Sequence, residues 1–148
     1  MRILKVRNFV IYFLVIFIAI VAFLYFVTFS SKLVLDGKTF SVEVSDTKEL
    51  LEKGLSGHAP ISKSSGMLFV FQKPGNYGFW MKDMLFPLDI IWMDSRWRVV
   101  HIEEAVSPKS YPSVFYPGVD SLYAMEVNAG VVNSLGVKIG DIAKYYGK

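Results

Sequence analysis

The sequence contains no cysteine, and this absence excludes several kinds of chemistry. Disulfide bonds, cysteine nucleophiles, cysteine-ligated zinc and lipid attachment through cysteine all require a thiol. If any part of the chain lies outside the cytoplasm, its fold therefore depends on the hydrophobic core alone, without disulfide bonds. With 148 residues, the chain is long enough to bury such a core without cross-links.

Histidine is scarce, since only His58 and His101 are present. Neither lies in a His-x-x-x-His or His-x-His spacing, and the sequence has no Asp-x-Asp-x-Asp loop and no Gly-x-Ser-x-Gly motif. The glycines also lack the spacing of a phosphate-binding loop. The sequence thus predicts no metal site and no cofactor, and it gives no support to a nucleophilic triad.

Charge is missing from one long stretch of the chain. No charged residue occurs from Phe9 to Phe29, and as an α-helix this stretch would be roughly 31 Å long, close to the thickness of a bilayer core. A cleavable signal peptide usually has a shorter apolar core of about 7 to 15 residues. We therefore expect an uncleaved transmembrane anchor over residues 9–29, with the lipid bilayer as its partner.

The basic residues near this stretch predict its orientation. Arg2, Lys5 and Arg7 precede it, whereas Lys32 is the one basic residue close behind it, so residues 1–8 are expected in the cytoplasm. Residues 30–32 would form a short linker and residues 33–148 an extracytoplasmic domain of a single-pass cell-membrane protein. The remaining basic residues balance the 13 acidic ones, which removes the main reason to expect nucleic-acid binding.

Short apolar segments separated by turns fill the rest of the chain. Asp36-Gly37 suits the turn of a hairpin between residues 33–35 and 38–44. A short helix is predicted over residues 47–53, capped by Asp46 and ended by Gly54. A second helical turn is predicted over residues 129–135, with Asn128 as its cap. Further strands are predicted at residues 67–71, 77–82, 88–93, 97–103, 121–127 and 142–146.

This pattern predicts a mainly β domain, a compact β-sandwich or barrel with one or two short helices. An α/β fold with a parallel sheet needs long crossover helices, and no segment of this domain has the length and period for one. Residues 106–119 carry three prolines and read as a surface loop.

Three charged residues lie within or at the end of apolar strands, and these are the candidates for chemistry. Burial of a lone charge is costly, so Lys82, Asp89 and Glu126 are expected to be paired, to lie at a rim or to form a site. In the structural interpretation, Asp89 forms an ion pair, with Lys82 across neighbouring strands, or caps backbone N–H groups. Alternatively, Asp89 and Glu126 would converge as the carboxylate pair of an acid/base hydrolase.

Aromatic side chains are abundant and offer a second kind of site. Trp80 lies in a predicted strand, where core packing is one interpretation, whereas Tyr111 and Tyr116 lie in the proline-rich loop, where surface contact is expected. Aromatic faces stack on apolar ligands and on sugars. These three residues therefore join the candidate binding residues.

Several ordered segments of residues 33–146 resemble the family known as domain of unknown function 192. They are Val42-Glu-Val-Ser-Asp-Thr, Gly54-Leu, Gly66-Met-Leu-Phe-Val-Phe, Phe79-Trp-Met-Lys-Asp-Met, Pro87-Leu-Asp-Ile-Ile-Trp, Ala124-Met-Glu-Val-Asn-Ala-Gly and Gly140-Asp. The resemblance implies a compact, mainly β domain that is often exported or anchored, and it implies no agreed activity. It places Lys82, Asp89 and Glu126 among the shared polar residues. It also places His58 where the family commonly has arginine, which puts an anion-binding role in doubt.

The sequence leaves three functions open. The first is a membrane-anchored module that binds a small molecule or an envelope partner through the region of Trp80, Lys82, Asp89 and Glu126, with His58 nearby and the loop from Tyr111 to Tyr116. The second is a hydrolase that uses Asp89 and Glu126, and the third is a purely structural envelope protein. The sequence does not decide whether the protein is an enzyme.

Overall fold

A computed structural model of the chain describes residues 11–21 and 31–147. Residues 11–21 are helical and are called α1 here. Within the two described stretches, no helix combines the length and the apolar composition that a membrane crossing requires. The predicted anchor from Phe9 to Phe29 extends past α1 at both ends, and its residues 9–10 and 22–29 lie outside the described residues, as does the predicted cytoplasmic tail.

Residues 31–146 form a separate compact unit with nine strands and few helices. The strands are β1 (Lys32–Leu35), β2 (Lys38–Ser45), β3 (Ser65–Gly75), β4 (Phe79–Trp80), β5 (Leu88–Met93), β6 (Val99–Val106), β7 (Val114–Phe115), β8 (Ser121–Asn128) and β9 (Lys144–Tyr146). The helices are α2 (Lys48–Lys53), α3 (Val131–Leu135) and a 3₁₀ turn at Pro108–Ser110.

Seven strands form one sheet in the order β6-β5-β8-β3-β2-β1-β9, and β4 pairs with β7 in a small second sheet. All neighbours in the large sheet are antiparallel except β2 and β3, which are parallel and are joined through α2. The segments before the two edge strands meet in a bridge between Arg98 and Ile142. The mainly β class is therefore confirmed, in the form of one large sheet whose edges approach each other.

The predictions of the hairpin turn and of the first short helix of the β domain were largely correct. Asp36 and Gly37 both have positive φ angles, of 46° and 74°, as the predicted hairpin turn requires. The helix α2 occupies the predicted residues, but its N-cap is Thr47 and not Asp46, because the Thr47 side chain accepts a hydrogen bond from the Leu50 N–H. The prediction of Asp46 as the cap was wrong by one position.

The prediction that Asn128 caps the helix after β8 was also wrong. The Asn128 side chain instead donates to the carbonyl oxygens of Ile61 and Ser62, and α3 begins after Gly130, which has a φ of 85° and no side-chain cap. The predicted strand over residues 77–82 is only two residues long, since β4 comprises Phe79–Trp80.

Two hydrophobic clusters lie on the two faces of the large sheet. Side chains alternate along β5, so Leu88, Ile90 and Trp92 belong to one cluster, whereas Ile91 and Met93 belong to the other. The second cluster packs against α3, and the first extends under α2 and β4. We call these the α3 face and the α2 face.

Candidate functional site

An open cavity of about 820 Å³ lies on the α2 face. Its walls come from α2 and the turn after it, from β3, and from the segment that leads into β4. Apolar and aromatic side chains form the larger part of its surface, and the charged side chains that line it, apart from Glu126, are exposed at its mouth. The lining residues are Asp46, Lys48, Leu51, Glu52, Lys53, Gly54, Leu55, Ser56, Phe69, Phe71, Gln72, Lys73, Tyr77, Gly78, Phe79, Trp80, Met84 and Glu126.

A wall of interlocked aromatic rings gives the cavity its shape. Phe71 stacks on Tyr77 with ring centroids 3.7 Å apart, and Phe79 meets both Phe69 and Trp92 edge to face. The Trp92 indole Nε1–H donates to the Tyr77 carbonyl oxygen at 2.9 Å, which ties this wall to the sheet. Because edge-to-face and stacked rings resist displacement, the wall is preorganised.

Glycine is required at position 54, where the helix α2 ends. Its φ of 51° and ψ of −140° lie in a region that residues with a side chain rarely adopt. A Cβ there would also lie 3.2 Å from the Phe69 ring and 3.5 Å from Glu126 Oε2. The absence of a side chain at Gly54 therefore keeps open the space next to the Glu126 carboxyl.

Glu126 lies at the floor of the cavity, in the middle of β8. Its cross-strand neighbours are the apolar residues Met67 and Ile90, and the glutamate is 4% exposed. Its Oε2 atom is shielded from solvent and has no hydrogen-bond partner. Burial raises the pKa of Glu126 from 4.5 to about 8, although the Leu55 backbone N–H opposes the rise. Glu126 is therefore mostly protonated at neutral pH.

Asp89 has a different role on the opposite face of the sheet. Asp89 pairs with Val127 across β5 and β8, and the next pair along the strands is Ile90 with Glu126. Because successive side chains of a strand face opposite sides of the sheet, the carboxyl groups of Asp89 and Glu126 point away from each other. Its Oδ1 accepts from the Ala105 N–H at 2.8 Å and its Oδ2 from the Val132 N–H at 2.9 Å. Asp89 thus fixes the irregular end of β6 at Ala105 and the start of α3.

These positions correct two predictions about Asp89. The carboxylate pair of Asp89 and Glu126 does not form, because neighbouring register positions on a strand face opposite sides of the sheet. The ion pair of Asp89 with Lys82 does not form either, since Lys82 is exposed and appears in no ion pair within the described stretches. The first error comes from the unknown register, and the second comes from the early end of β4 at Trp80 and its pairing with β7 instead of β5.

Lys82 and His58 lie near the cavity but do not line it. The Lys82 carbonyl oxygen accepts a hydrogen bond from Ser56 Oγ at 2.8 Å, and the His58 N–H donates to the Leu55 carbonyl oxygen. Both residues therefore hold the turn after α2 through their backbone atoms. The lining itself takes Leu55 and Ser56 from this turn.

Trp80 brings the proline-rich loop to the cavity mouth. It lines the cavity, is 46% exposed, and pairs with Val114 across β4 and β7. Its ring meets that of Tyr111 edge to face, with centroids 6.5 Å apart, and Tyr116 packs over Gly78. Trp80 and Glu126 are thus the two predicted site residues that line the cavity, while Tyr111 and Tyr116 border it.

Sequence reasoning missed the aromatic wall and the role of Gly54. The alternation of Phe69 and Phe71 with Leu68 and Val70 along β3 was visible in the sequence, and it placed both phenylalanines on one face. Nothing in the sequence indicated that Tyr77 and Phe79 would fold back onto that face. Gly54 was interpreted only as the end of a helix.

The chemistry available in the cavity is that of a buried carboxyl group within an apolar wall. It offers hydrogen bonding, charge neutralisation or proton transfer at Glu126, and stacking on the aromatic rings. Within residues 11–21 and 31–147, no group of three or more His, Cys, Asp or Glu side chains is placed to hold a metal ion.

Comparison with known proteins gives a family. A model of the DUF192 family, described as an uncharacterized ACR (COG1430), matches residues 31–145. No curated protein matches the chain. Two solved structures are similar, each with a TM-score of 0.72 over 78% of this chain.

Both structures show this fold over most of their own length. A Sinorhizobium meliloti protein, provisionally named a transcription regulator, is 30% identical, and 91% of it is covered. A protein of unknown function from Novosphingobium aromaticivorans is 27% identical, and 83% of it is covered. Since the family model spans nearly all of the β domain, the resemblance noted in the sequence is confirmed, and the chain belongs to the DUF192 family.

Proposed function

We propose that the β domain binds a small apolar or aromatic molecule in the cavity on the α2 face. The observation that carries this proposal is the unpartnered carboxyl oxygen of Glu126 at the floor of an aromatic-lined cavity. Buried polar atoms are nearly always hydrogen-bonded to protein or to ordered water, so an unpartnered atom beside a cavity marks a place where a further group can bind. A bound molecule with one polar group would supply this partner once the carboxyl turns toward the cavity.

The size and composition of the cavity support the same function. Ligand cavities are commonly about 300 to 1,000 Å³, lined mostly by apolar and aromatic side chains with a few convergent polar groups. This cavity, at about 820 Å³, has that composition. A purely architectural domain gains nothing from an open apolar cavity, because filling it with side chains would stabilise the fold.

A variant of α2 should abolish ligand binding by filling the cavity. Leu51 is partly buried and lines the cavity, so Leu51→Trp is expected to occupy the space that a ligand ring would take. Leu50 is its neighbour on the same helix, is 39% exposed and does not line the cavity, so Leu50→Trp is the matched control. The probe is 2-phenylethanol, and saturation-transfer NMR with the full chain measures its binding.

The wild type and Leu50→Trp are expected to transfer saturation to the phenyl protons of the probe, and Leu51→Trp is expected to lose at least about nine-tenths of that signal. Equal signals from the two tryptophan variants would show that the probe binds elsewhere. No signal from the wild type would contradict binding of small aromatic molecules in this cavity.

We also propose that the domain is anchored to the cell membrane and faces away from the cytoplasm. The support is the uncharged stretch from Phe9 to Phe29 together with the basic cluster of Arg2, Lys5 and Arg7. The absence of cysteine is compatible with a domain whose core alone holds it together in an oxidising environment.

A reporter fused after Lys148 tests this orientation. Alkaline phosphatase, which is active only outside the cytoplasm, is expected to be active in the fusion, and a green fluorescent reporter exported in unfolded form is expected to be dark. Replacing Arg2, Lys5 and Arg7 with glutamine should lower phosphatase activity, because the charge bias that orients the stretch is removed. An inactive alkaline phosphatase fusion together with a fluorescent green reporter fusion would contradict the proposed orientation.

We do not propose a role in transcription for this chain on the basis of the name of the S. meliloti protein. Outside the N-terminal cluster, basic residues only balance the 13 acidic ones, whereas nucleic-acid binding depends on an excess of positive charge over the contacting surface. A molecule of low charge and apolar character fits the cavity better than a phosphate backbone does.

A further inference from the structure

The carboxyl group at the floor of the cavity lacks a donor. The Leu55 backbone N–H lies against the Glu126 carboxyl, but Oε2 receives no hydrogen bond. In the described part of the chain, no lysine, arginine or histidine side chain forms an ion pair with Glu126. When the carboxyl is ionised, the missing partner is therefore a group that donates an N–H or O–H bond.

The aromatic wall adds a preference among donors. The faces of aromatic rings carry partial negative charge and attract cations that lie within about 6 Å of the ring centre. Phe69, Phe71, Tyr77, Phe79 and Trp80 all line the cavity that Glu126 closes. Binding of a cationic donor is therefore stabilised by both the rings and the carboxylate, whereas binding of a neutral donor is stabilised mainly by the hydrogen bond.

We propose that the cavity takes an organic cation, a primary amine on an apolar or aromatic body, whose ammonium group donates to the Glu126 carboxylate after this group turns toward the cavity, since Oε2 is shielded from solvent in this structure. This inference rests on the proposed function and names the class of its ligand. The amine would neutralise the carboxylate that burial otherwise keeps protonated. Its apolar body would lie along Phe71, Tyr77 and Trp80.

The charges around the mouth are compatible with this ligand. On the strands beside Glu126, the facing positions are the uncharged Met67 and Ile90, so no neighbouring strand supplies a competing charge. The mouth carries charges of both signs on exposed side chains, and solvent screens such charges strongly. The titratable groups that line the cavity besides Glu126 are Asp46, Lys48, Glu52, Lys53, Lys73 and Tyr77.

The amine requires an ionised carboxylate, which gives its binding a distinctive pH dependence. Below the pKa of about 8, binding an ammonium group displaces one proton from Glu126, so the affinity is expected to rise about tenfold from pH 6 to 7 and about fivefold from pH 7 to 8. A neutral alcohol needs no such ionisation. Its affinity should therefore not rise over the same range.

The experiment compares phenethylamine with 2-phenylethanol, which has a hydroxyl group in place of the ammonium group. Titration calorimetry of the full chain at pH 6, 7 and 8 measures both dissociation constants. Phenethylamine is expected to bind at least about ten times more tightly than 2-phenylethanol at pH 8, with the stated pH slope. Glu126→Gln is expected to remove the advantage of the amine, and Glu104→Gln, an exposed glutamate on β6, is expected to keep it.

The outcomes separate the two proposals. If the wild type binds 2-phenylethanol but the amine has neither an advantage nor a pH slope, the cation proposal is overturned and the cavity remains a site for neutral ligands. If the wild type binds neither compound, both proposals are overturned. The pH slope of the wild type decides the matter even if Glu126→Gln fails to fold.

Discussion

Replacing Asp89 with asparagine is expected to lower the free energy of unfolding by about 3 kcal/mol. Losses of this size are usual when a buried carboxylate that accepts two hydrogen bonds is removed. The Asp89 carboxylate is fully buried and accepts from the N–H groups of Ala105 and Val132. An asparagine amide has one acceptor oxygen and turns its NH₂ group toward the other N–H. Ala105, held at a φ of 51°, and the start of α3 both lose their anchor.

Chemical denaturation of the full chain measures this effect, and two variants serve as controls. Asp83→Asn changes an exposed aspartate on the connection before β5 and is expected to shift the free energy of unfolding by less than about 0.5 kcal/mol. Lys82→Met should be equally mild, and its combination with Asp89→Asn should be additive, since the two side chains do not pair. A loss below about 0.5 kcal/mol for Asp89→Asn, or recovery in the double variant, would contradict the anchoring role.

Glu126 is expected to make the domain less stable as the pH rises. The folded protein holds the Glu126 proton up to about pH 8, whereas the unfolded chain releases it near 4.5. Between these values the folded state binds more protons, so its stabilisation by this group is complete below pH 4.5 and is lost as the pH rises through 8. The slope is about 1.4 kcal/mol per pH unit at most, for one proton.

Glu126→Gln should remove this slope, because glutamine has the shape of the protonated carboxyl and does not ionise. Denaturation of the wild type and the variant at pH 5, 6, 7 and 8 measures the difference, in which contributions from other titrating groups cancel. The variant is expected to become the more stable protein as the pH approaches 8. Parallel pH profiles would show that Glu126 is ionised in the folded protein at neutral pH.

Local signals in the sequence were sufficient for the turns and short elements. The Asp36-Gly37 hairpin needs positive φ angles at both positions, and this dipeptide tolerates them at little cost. The extent of α2 was likewise recognisable from Gly54 at its end, although its N-cap was predicted one residue too early. Each of these features depends on neighbours within a few residues.

The roles of Asp89 and Glu126 could not be separated by sequence alone. Both are acidic residues inside apolar strands, and the difference between them is a register of one residue across β5 and β8. That register places Asp89 beneath α3 and Glu126 beneath the turn after α2. It depends on pairing between segments far apart in the chain.

The cavity was not predictable for a similar reason. It needs α2, β3 and β4 to meet on one face of the sheet, and the stacking of Phe71 on Tyr77 follows from the turn between them. The positive φ angle of Ala105, which makes room for the Asp89 hydrogen bond, has no signal in the sequence because alanine has no special preference for it.

The most direct test of the central claim, that the cavity on the α2 face binds a small aromatic molecule, uses the three tryptophan indole N–H signals in an NMR titration of the full chain. Trp80 lines the cavity, whereas Trp97 stacks on Tyr123 and packs with the cluster of the α3 face. Addition of 2-phenylethanol is expected to shift the Trp80 signal in a saturable manner and to leave the Trp97 signal in place. A saturable shift of Trp97 with Trp80 unmoved, or no shift of any indole signal, would contradict the claim.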